Sequence, residues 1–115
     1  MSTTTRSDQL SLVFTALSHP VRRTMLEILK LGKASASELG ETFDVSAPMI
    51  TKHLKMLQKA KLISRTQEAQ LRYAQLNPKT LKEANDWIKQ YEELWIDRFD
   101  RMENYLQKVM KKEEE

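Results

Sequence analysis

"SAPMITKHLKMLQ", residues 46–58, decides how this chain folds. Ile50, Leu54 and Leu57 recur at helical spacing, and with Ile50 at the zero of a helical wheel the other two lie within about 40 degrees of it. Pro48, Lys52, Lys55 and Lys59 gather on the opposite face. The stretch predicts a short helix with one side for a core and one side of cations. Its entry is abrupt: Ser46 is of the type that accepts a hydrogen bond from an early helix amide. Pro48 is tolerated because first-turn amides have no partner inside the helix. Two helices here change direction within a few residues.

Upstream, Ser35-Ala-Ser-Glu38 reads as a capping box opening a helix of barely two turns, with Leu39 and Phe43 inward and Asp44 and Val45 in the turn. Before it, Pro20 suits the first turn of a helix that carries Val21, Met25, Ile28 and Leu29 on one face and ends at Gly32. Leu10, Val13, Phe14 and Leu17 fall at i, i+3, i+4, i+7, predicting a first helix that Ser7 caps and that stops near Ser18. Downstream, "KLISRT" (61–66) and "LRYAQL" (71–76) are β-compatible runs separated by residues 67–70, and predict a hairpin. Asn77 and Pro78 restart a helix expected to run to about Lys111, roughly 50 Å at 1.5 Å per residue.

The expected organisation is one mainly α domain over residues 1–115, with a core at 7–76, a C-terminal helix at 77–111 and a frayed tail at 112–115. In the last helix Leu81, Ala84, Ile88, Tyr91, Trp95, Arg98, Met102, Tyr105 and Val109 alternate three and four apart, and only Arg98 is not apolar. Trp87, Leu94, Phe99, Leu106 and Met110 widen the stripe. So much apolar surface calls for a second subunit, and a homodimer is expected. Its dimerisation residues are expected to be Leu10, Val13, Phe14 and Leu17 on the first helix and Trp87, Ile88, Tyr91, Trp95, Phe99 and Met102 on the last.

Composition narrows the function. No run reaches the 18 apolar residues of a membrane span, the N-terminus lacks the apolar core of a secretion signal, and a cytoplasmic protein is expected. The chain has no cysteine, two histidines far apart and no glycine-rich phosphate loop, so nothing supports an enzyme, and no cofactor is expected. Residues 1–76 hold eleven Lys or Arg against six Asp or Glu, while residues 77–115 hold eight against ten. Six of those eleven cations lie within 46–76, beside a single acid, which points to a polyanion partner.

A short capped helix, a tight turn and a helix with a cationic outer face make a helix-turn-helix, whose second helix lies in the DNA major groove. The following hairpin is then the wing, with Arg65 and Arg72 reaching phosphates or the minor groove. A two-fold dimer places two such helices about 34 Å apart and predicts an inverted-repeat site in double-stranded DNA.

In their order, "ALSHPVRRTMLEIL" (16–29), "SELGETFDVSAPMITKHLKMLQKAKLISR" (37–65) and "LRYAQLNP" (71–78) resemble the ArsR-type winged helix-turn-helix transcriptional regulators. The likeness covers roughly residues 10 to 80 and implies a dimeric repressor that leaves DNA on a signal. It places Ser46, Ala47, Pro48, Met49, Thr51, Lys52 and His53 at recognition positions, with Lys55 beside them, and Arg65, Arg72 and Tyr73 in the wing. Lys61 stands where that family usually has glycine. The positions that match the cysteines of arsenic- and cadmium-sensing members are Ser35, Ser37 and Gly40, and neutral hydroxyls are poor ligands for soft ions. The last helix lacks the histidines of zinc-sensing members, so no metal is expected and the non-metal-sensing branch is implied.

Plainer readings compete residue by residue. His53 lies on the flank of the core face and suits a structural hydrogen bond as well as a DNA contact. Arg22 and Arg23 suit the DNA backbone or a neighbouring acid equally, and His19 and Ser35 read as cap residues. Trp87, Tyr91, Trp95 and Phe99 suit packing better than an effector pocket. The alternative function is a winged-helix interaction module without specific DNA binding.

Overall fold

The computed structural model describes the backbone of residues 6–114 and the side chains of residues 8–113. Along the chain run α1 (Arg6–Leu17), α2 (Pro20–Leu29), β1 (Ala34–Ser35), α3 (Ala36–Thr42), α4 (Ala47–Lys59), β2 (Ile63–Glu68), β3 (Leu71–Leu76) and α5 (Pro78–Glu114). This is the mainly helical, winged helix-turn-helix arrangement that the punctuation and periodicity predict. Chain contacts divide it into two units between Lys82 and Glu83, so the first turn of α5 belongs with the elements before it.

In the first unit α4 packs on α1, α2, α3 and β2. Its inner residues Ile50, Leu54 and Leu57 join Met25, Leu39 and Leu62 in a fully enclosed core. Val13 is 2% exposed in this core. It therefore fills the single chain's interior, and the dimerisation role expected of it is withdrawn. Leu10 and Leu17 are half-buried and Phe14 is exposed. Helix α1 is already under way at Arg6, so Ser7 falls inside its first turn rather than at its cap, and the Ser7 side chain lies outside the described residues.

The helix ends are closed by side chains. His19 caps α2, its Nδ1 accepting from the Val21 amide at 3.1 Å. Ser35 and Glu38 form the expected capping box: the Glu38 amide donates to Ser35 Oγ at 3.2 Å and the Ser35 amide to Glu38 Oε1 at 3.4 Å. The last carbonyls of α1 are met by two arginines from α2. Arg22 Nε and Nη2 donate to the oxygens of Ala16 and Thr15 at 2.7 and 3.0 Å, and Arg23 Nη1 donates to that of Leu17 at 2.6 Å. Cations at a helix carboxyl end also oppose its dipole.

The sheet is antiparallel with order β1-β3-β2. Strand β1 was not expected; two residues carry no periodicity, and Ala34 and Ser35 are extended because they pair with Ala74 and Tyr73 of β3. Strand β3 occupies the expected residues 71–76, while β2 is displaced from the expected 61–66 to Ile63–Glu68, leaving a tight turn at Ala69 and Gln70. Ala69 takes a φ of 55° there, a conformation no glycine or asparagine announces.

Helix α4 stops in a pair of reverse hydrogen bonds, Leu62 N–H to Leu57 O at 3.0 Å and Lys61 N–H to Gln58 O at 2.9 Å, with Lys61 at φ 61°. That left-handed position is the one glycine fills without a Cβ penalty. The Lys61 carbonyl accepts from Asn77 Nδ2 at 3.0 Å and Thr80 Oγ1 at 2.5 Å, and glycine keeps that carbonyl. Lys61→Gly is therefore expected to raise the stability by roughly 0.5–1 kcal/mol, the relief of left-handed strain less the added unfolded-chain entropy. Urea denaturation checks it, and an unchanged or lower midpoint contradicts it.

The second unit is the continuation of α5. Helix α5 as a whole has 37 residues and spans about 55 Å. The helix reaches Glu114, beyond the end expected at Lys111, so residues 112–114 are helical rather than frayed. Trp87, Ile88, Tyr91, Leu94, Trp95, Phe99 and Met102 are exposed in the single chain, and the rings of Trp87 and Tyr91 lie 5.1 Å apart. Asp97 and Arg101, one turn apart on the polar side, form an exposed ion pair at 2.7 Å. No described helix is long and apolar enough to cross a membrane.

Candidate nucleic-acid interface

The turn between α3 and α4 delivers the chain to Ser46, whose Oγ accepts from the Met49 amide at 3.3 Å while its carbonyl takes the Ile50 amide at 3.0 Å. With the first turn closed this way, burial of Ile50, Leu54 and Leu57 rotates the rest of the helix face outward. Ser46, Ala47, Pro48, Met49, Thr51, Lys52 and Lys55 are all exposed, as is Lys59. The exposed N-terminal end is chemically mixed. Thr51 and Lys52 supply a hydroxyl and an ammonium for base acceptors or phosphates, and Ala47, Pro48 and Met49 supply apolar contact of the kind thymine methyls accept.

His53 departs from the expectation that placed it among the recognition residues. It is 3% exposed, its ring centroid lies 4.5 Å from that of His19, and its Nδ1 lies 3.3 Å from Arg22 Nη1. Burial, and then the neighbouring His19, Arg22 and Lys52, push its pKa below the ordinary histidine value. A ring so enclosed makes no direct base contact. The guanidiniums of Arg22 and Arg23 close the end of α1, a use not weighed from the sequence alone, and Arg23 stays exposed there. Their signal was present but weak: paired arginines following the end of a predicted helix by a few residues.

In the wing, cross-strand partners share a face. Ile63 and Leu76, Arg65 and Ala74, and Gln67 and Arg72 lie on one side, with Thr66 and Tyr73 on the other. Arg65 and Arg72 thus stand together. Arg65 is half-buried, and its Nε is enclosed without a hydrogen-bond partner. Burial, and then the Arg72 charge, lower the Arg65 pKa from its ordinary value. Two like charges crowded on one face of the wing favour an anion beside them. Tyr73 faces away from them: Lys33 Nζ stands 4.9 Å over its ring and pairs with Glu68 on the same side of the sheet. Tyr73 thus lies in the wing as expected, on the face opposite Arg65 and Arg72, because strand alternation separates them.

Ser35, at a position matching family cysteines, is committed to its capping box, while Ser37 is exposed on α3. Among the described residues no three His, Asp or Glu side chains converge as metal ligands.

Comparison with known proteins agrees with this geometry. A family model described as a helix-turn-helix domain (HTH_20) matches residues 17–66. Over 76 residues the chain is 38% identical to the transcriptional repressor SdpR of Bacillus subtilis (strain 168), an alignment covering 66% of this chain and 84% of that protein. The crystal structure of an ArsR family transcriptional regulator superposes with a TM-score of 0.72 at 29% identity, covering 81% of this chain and 96% of that one. An ArsR-like transcriptional regulator from Rhodococcus sp. RHA1 gives 0.70 at 26% identity, covering 85% and 92%.

Proposed function

The chain belongs to the ArsR-type winged helix-turn-helix transcriptional regulators, and on that premise we propose that it is a homodimeric repressor binding an inverted-repeat operator, of the branch that does not sense metals. The observation that carries the reading is the outer face of α4, where a serine-capped start is followed by exposed Thr51, Lys52 and Lys55 opposite a wholly buried inner face. The α4 N-terminus, Ser46 to Lys52, meets base edges; Lys55, Arg65 and Arg72 hold phosphates. The B. subtilis relative, a repressor, supports repression as the outcome. The exposed apolar stripe of α5 supports the dimer, with Phe14, Leu10 and Leu17 of α1 as a further candidate surface.

The test is selection of bound genomic fragments by the purified protein at about 150 mM salt, where non-specific attraction is weak. The wild type is expected to recover an inverted repeat. In a dimer Lys52→Ala removes two base-edge contacts, so the repeat is expected to be lost from the selection, whereas Lys55→Ala removes two phosphate contacts and is expected to shrink the log-log salt slope by about 1.8. Wild-type binding without salt dependence would defeat the proposal and favour an interaction module instead.

A further inference from the structure

The chain contains two histidines, and the fold brings both to one place. His19 precedes Pro20 at the α1–α2 junction and His53 lies on the covered side of α4, yet their rings approach to 4.5 Å. Each uses a ring nitrogen as an acceptor. His19 Nδ1 accepts the Val21 amide at 3.1 Å, forming the cap of α2. His53 Nδ1 faces Arg22 Nη1 at 3.3 Å, a hydrogen bond that requires the tautomer with the proton on Nε2. An imidazolium carries a proton on both nitrogens and accepts nothing.

Nor is Arg22 free to withdraw, because its Nε and Nη2 hold the carbonyls of Ala16 and Thr15. The charged groups acting on His53 are His19 from the junction, Arg22 from α2 and Lys52 from α4 itself; among the described residues none from α1, α3 or β2 acts on it. Every one of them is a cation or becomes one on protonation. A proton on His53 therefore adds positive charge to a covered, positive cluster and removes the acceptor that faces Arg22.

We propose that His19, His53 and Arg22 form an acid-sensitive latch, which seats the recognition helix on α1 and α2 at neutral pH and releases it, and the operator with it, as the pH falls. The release of DNA rests on the repressor reading above; the latch itself does not. Lys52 and Thr51 directly precede His53 on α4, so a change in how His53 seats is carried straight to the exposed face.

The direction of the effect follows from linkage. The folded protein holds His53 below its ordinary value, so the unfolded chain binds more protons. Stability is full above about pH 6.5, declines as the pH falls through 6.5 towards the folded value, and levels off below it. Carboxylates titrate lower, leaving these two rings as the side chains whose ordinary pKa lies between pH 7.5 and 5.5. Simple electrostatics predicts the opposite for DNA, since added positive charge tightens binding.

The experiment measures affinity of the full chain for its selected operator fragment at pH 7.5 and 5.5, at constant ionic strength, for the wild type and for the double variant His19→Asn with His53→Gln. Asparagine preserves a cap acceptor, glutamine preserves an acceptor for Arg22, and neither titrates. The wild type is expected to lose on the order of tenfold in affinity, within the usual range of coupling between two sites. The double variant is expected to change by less than about twofold on the same scale. Wild-type affinity that holds or rises on acidification overturns the latch, as does an equal loss in the variant.

Thermal midpoints of both proteins are taken at the same two pH values. A midpoint drop in the wild type that the variant lacks supports the latch even if no operator is ever bound, in which case the repressor reading fails alone. A flat wild-type midpoint overturns the latch whatever the DNA does. Should the double variant fail to fold, NMR titration of the two wild-type imidazoles decides: His53 protonating at or above pH 6.5 overturns the proposal.

Discussion

Trp95→Glu combined with Phe99→Glu is expected to convert the proposed dimer to monomers and to weaken binding to the proposed operator by on the order of a hundredfold or more. In the single chain these side chains keep 65% and 66% of their surface exposed. Covering what remains of rings this size contributes roughly 3 kcal/mol each at about 25 cal/mol per Å2, and a two-fold interface buries each ring twice. Glutamate is a good helix former, so α5 itself survives the exchange while its apolar stripe acquires a charge that no partner face accommodates. The affinity loss comes from a different source than the lost contacts. A dimer presents two recognition helices on one body, so the second half-site is met at high effective concentration, and a monomer forfeits that gain. Sedimentation velocity and operator titration of the same preparations check both steps. A variant that stays dimeric removes the basis for assigning dimerisation to this stripe, and a monomer with undiminished affinity removes the inverted-repeat operator.

Leu54→Ala is expected to destabilise the protein by about 2–5 kcal/mol. Leu54 is fully enclosed on the inner face of α4, where that helix meets four other elements, so the cavity left by its removal has little room to collapse. Domains of this size are stable by only about 5–15 kcal/mol, so the loss is a large share of the total. At roughly 4–8 °C per kcal/mol it lowers the melting temperature by more than about 8 °C. Leu31, 89% exposed, provides the internal control: Leu31→Ala should stay within about 0.5 kcal/mol of the wild type. Comparable losses at the two sites, or a Leu54→Ala effect below about 1 kcal/mol, would show that α4 is not anchored through this face.

Much of the site is legible in the sequence because its signals are local. The Ser46 cap, the Ser35–Glu38 box and the inward spacing of Ile50, Leu54 and Leu57 each depend on residues within one or two turns. The left-handed residue that ends α4 was harder to read, since Lys61 and not glycine occupies it, and what holds it there comes from afar: the Asn77 and Thr80 side chains on its carbonyl. Strand β1 escaped for a similar reason, two residues being extended only by virtue of the strand they pair with.

The sequence by itself determined the helix-turn-helix, the cationic outer face of α4 and the apolar stripe of α5, because periodicity and capping are properties of neighbouring residues along one chain. Only the tertiary structure decided which side chains are taken up by the fold and which share a face. His53 lies under cover beside His19, Arg22 and Arg23 close the end of α1, Val13 fills the core, and Tyr73 turns away from Arg65 and Arg72. The physical reason is common to all five: what a buried or alternating side chain can touch is set by elements remote in sequence, whose approach no local pattern encodes.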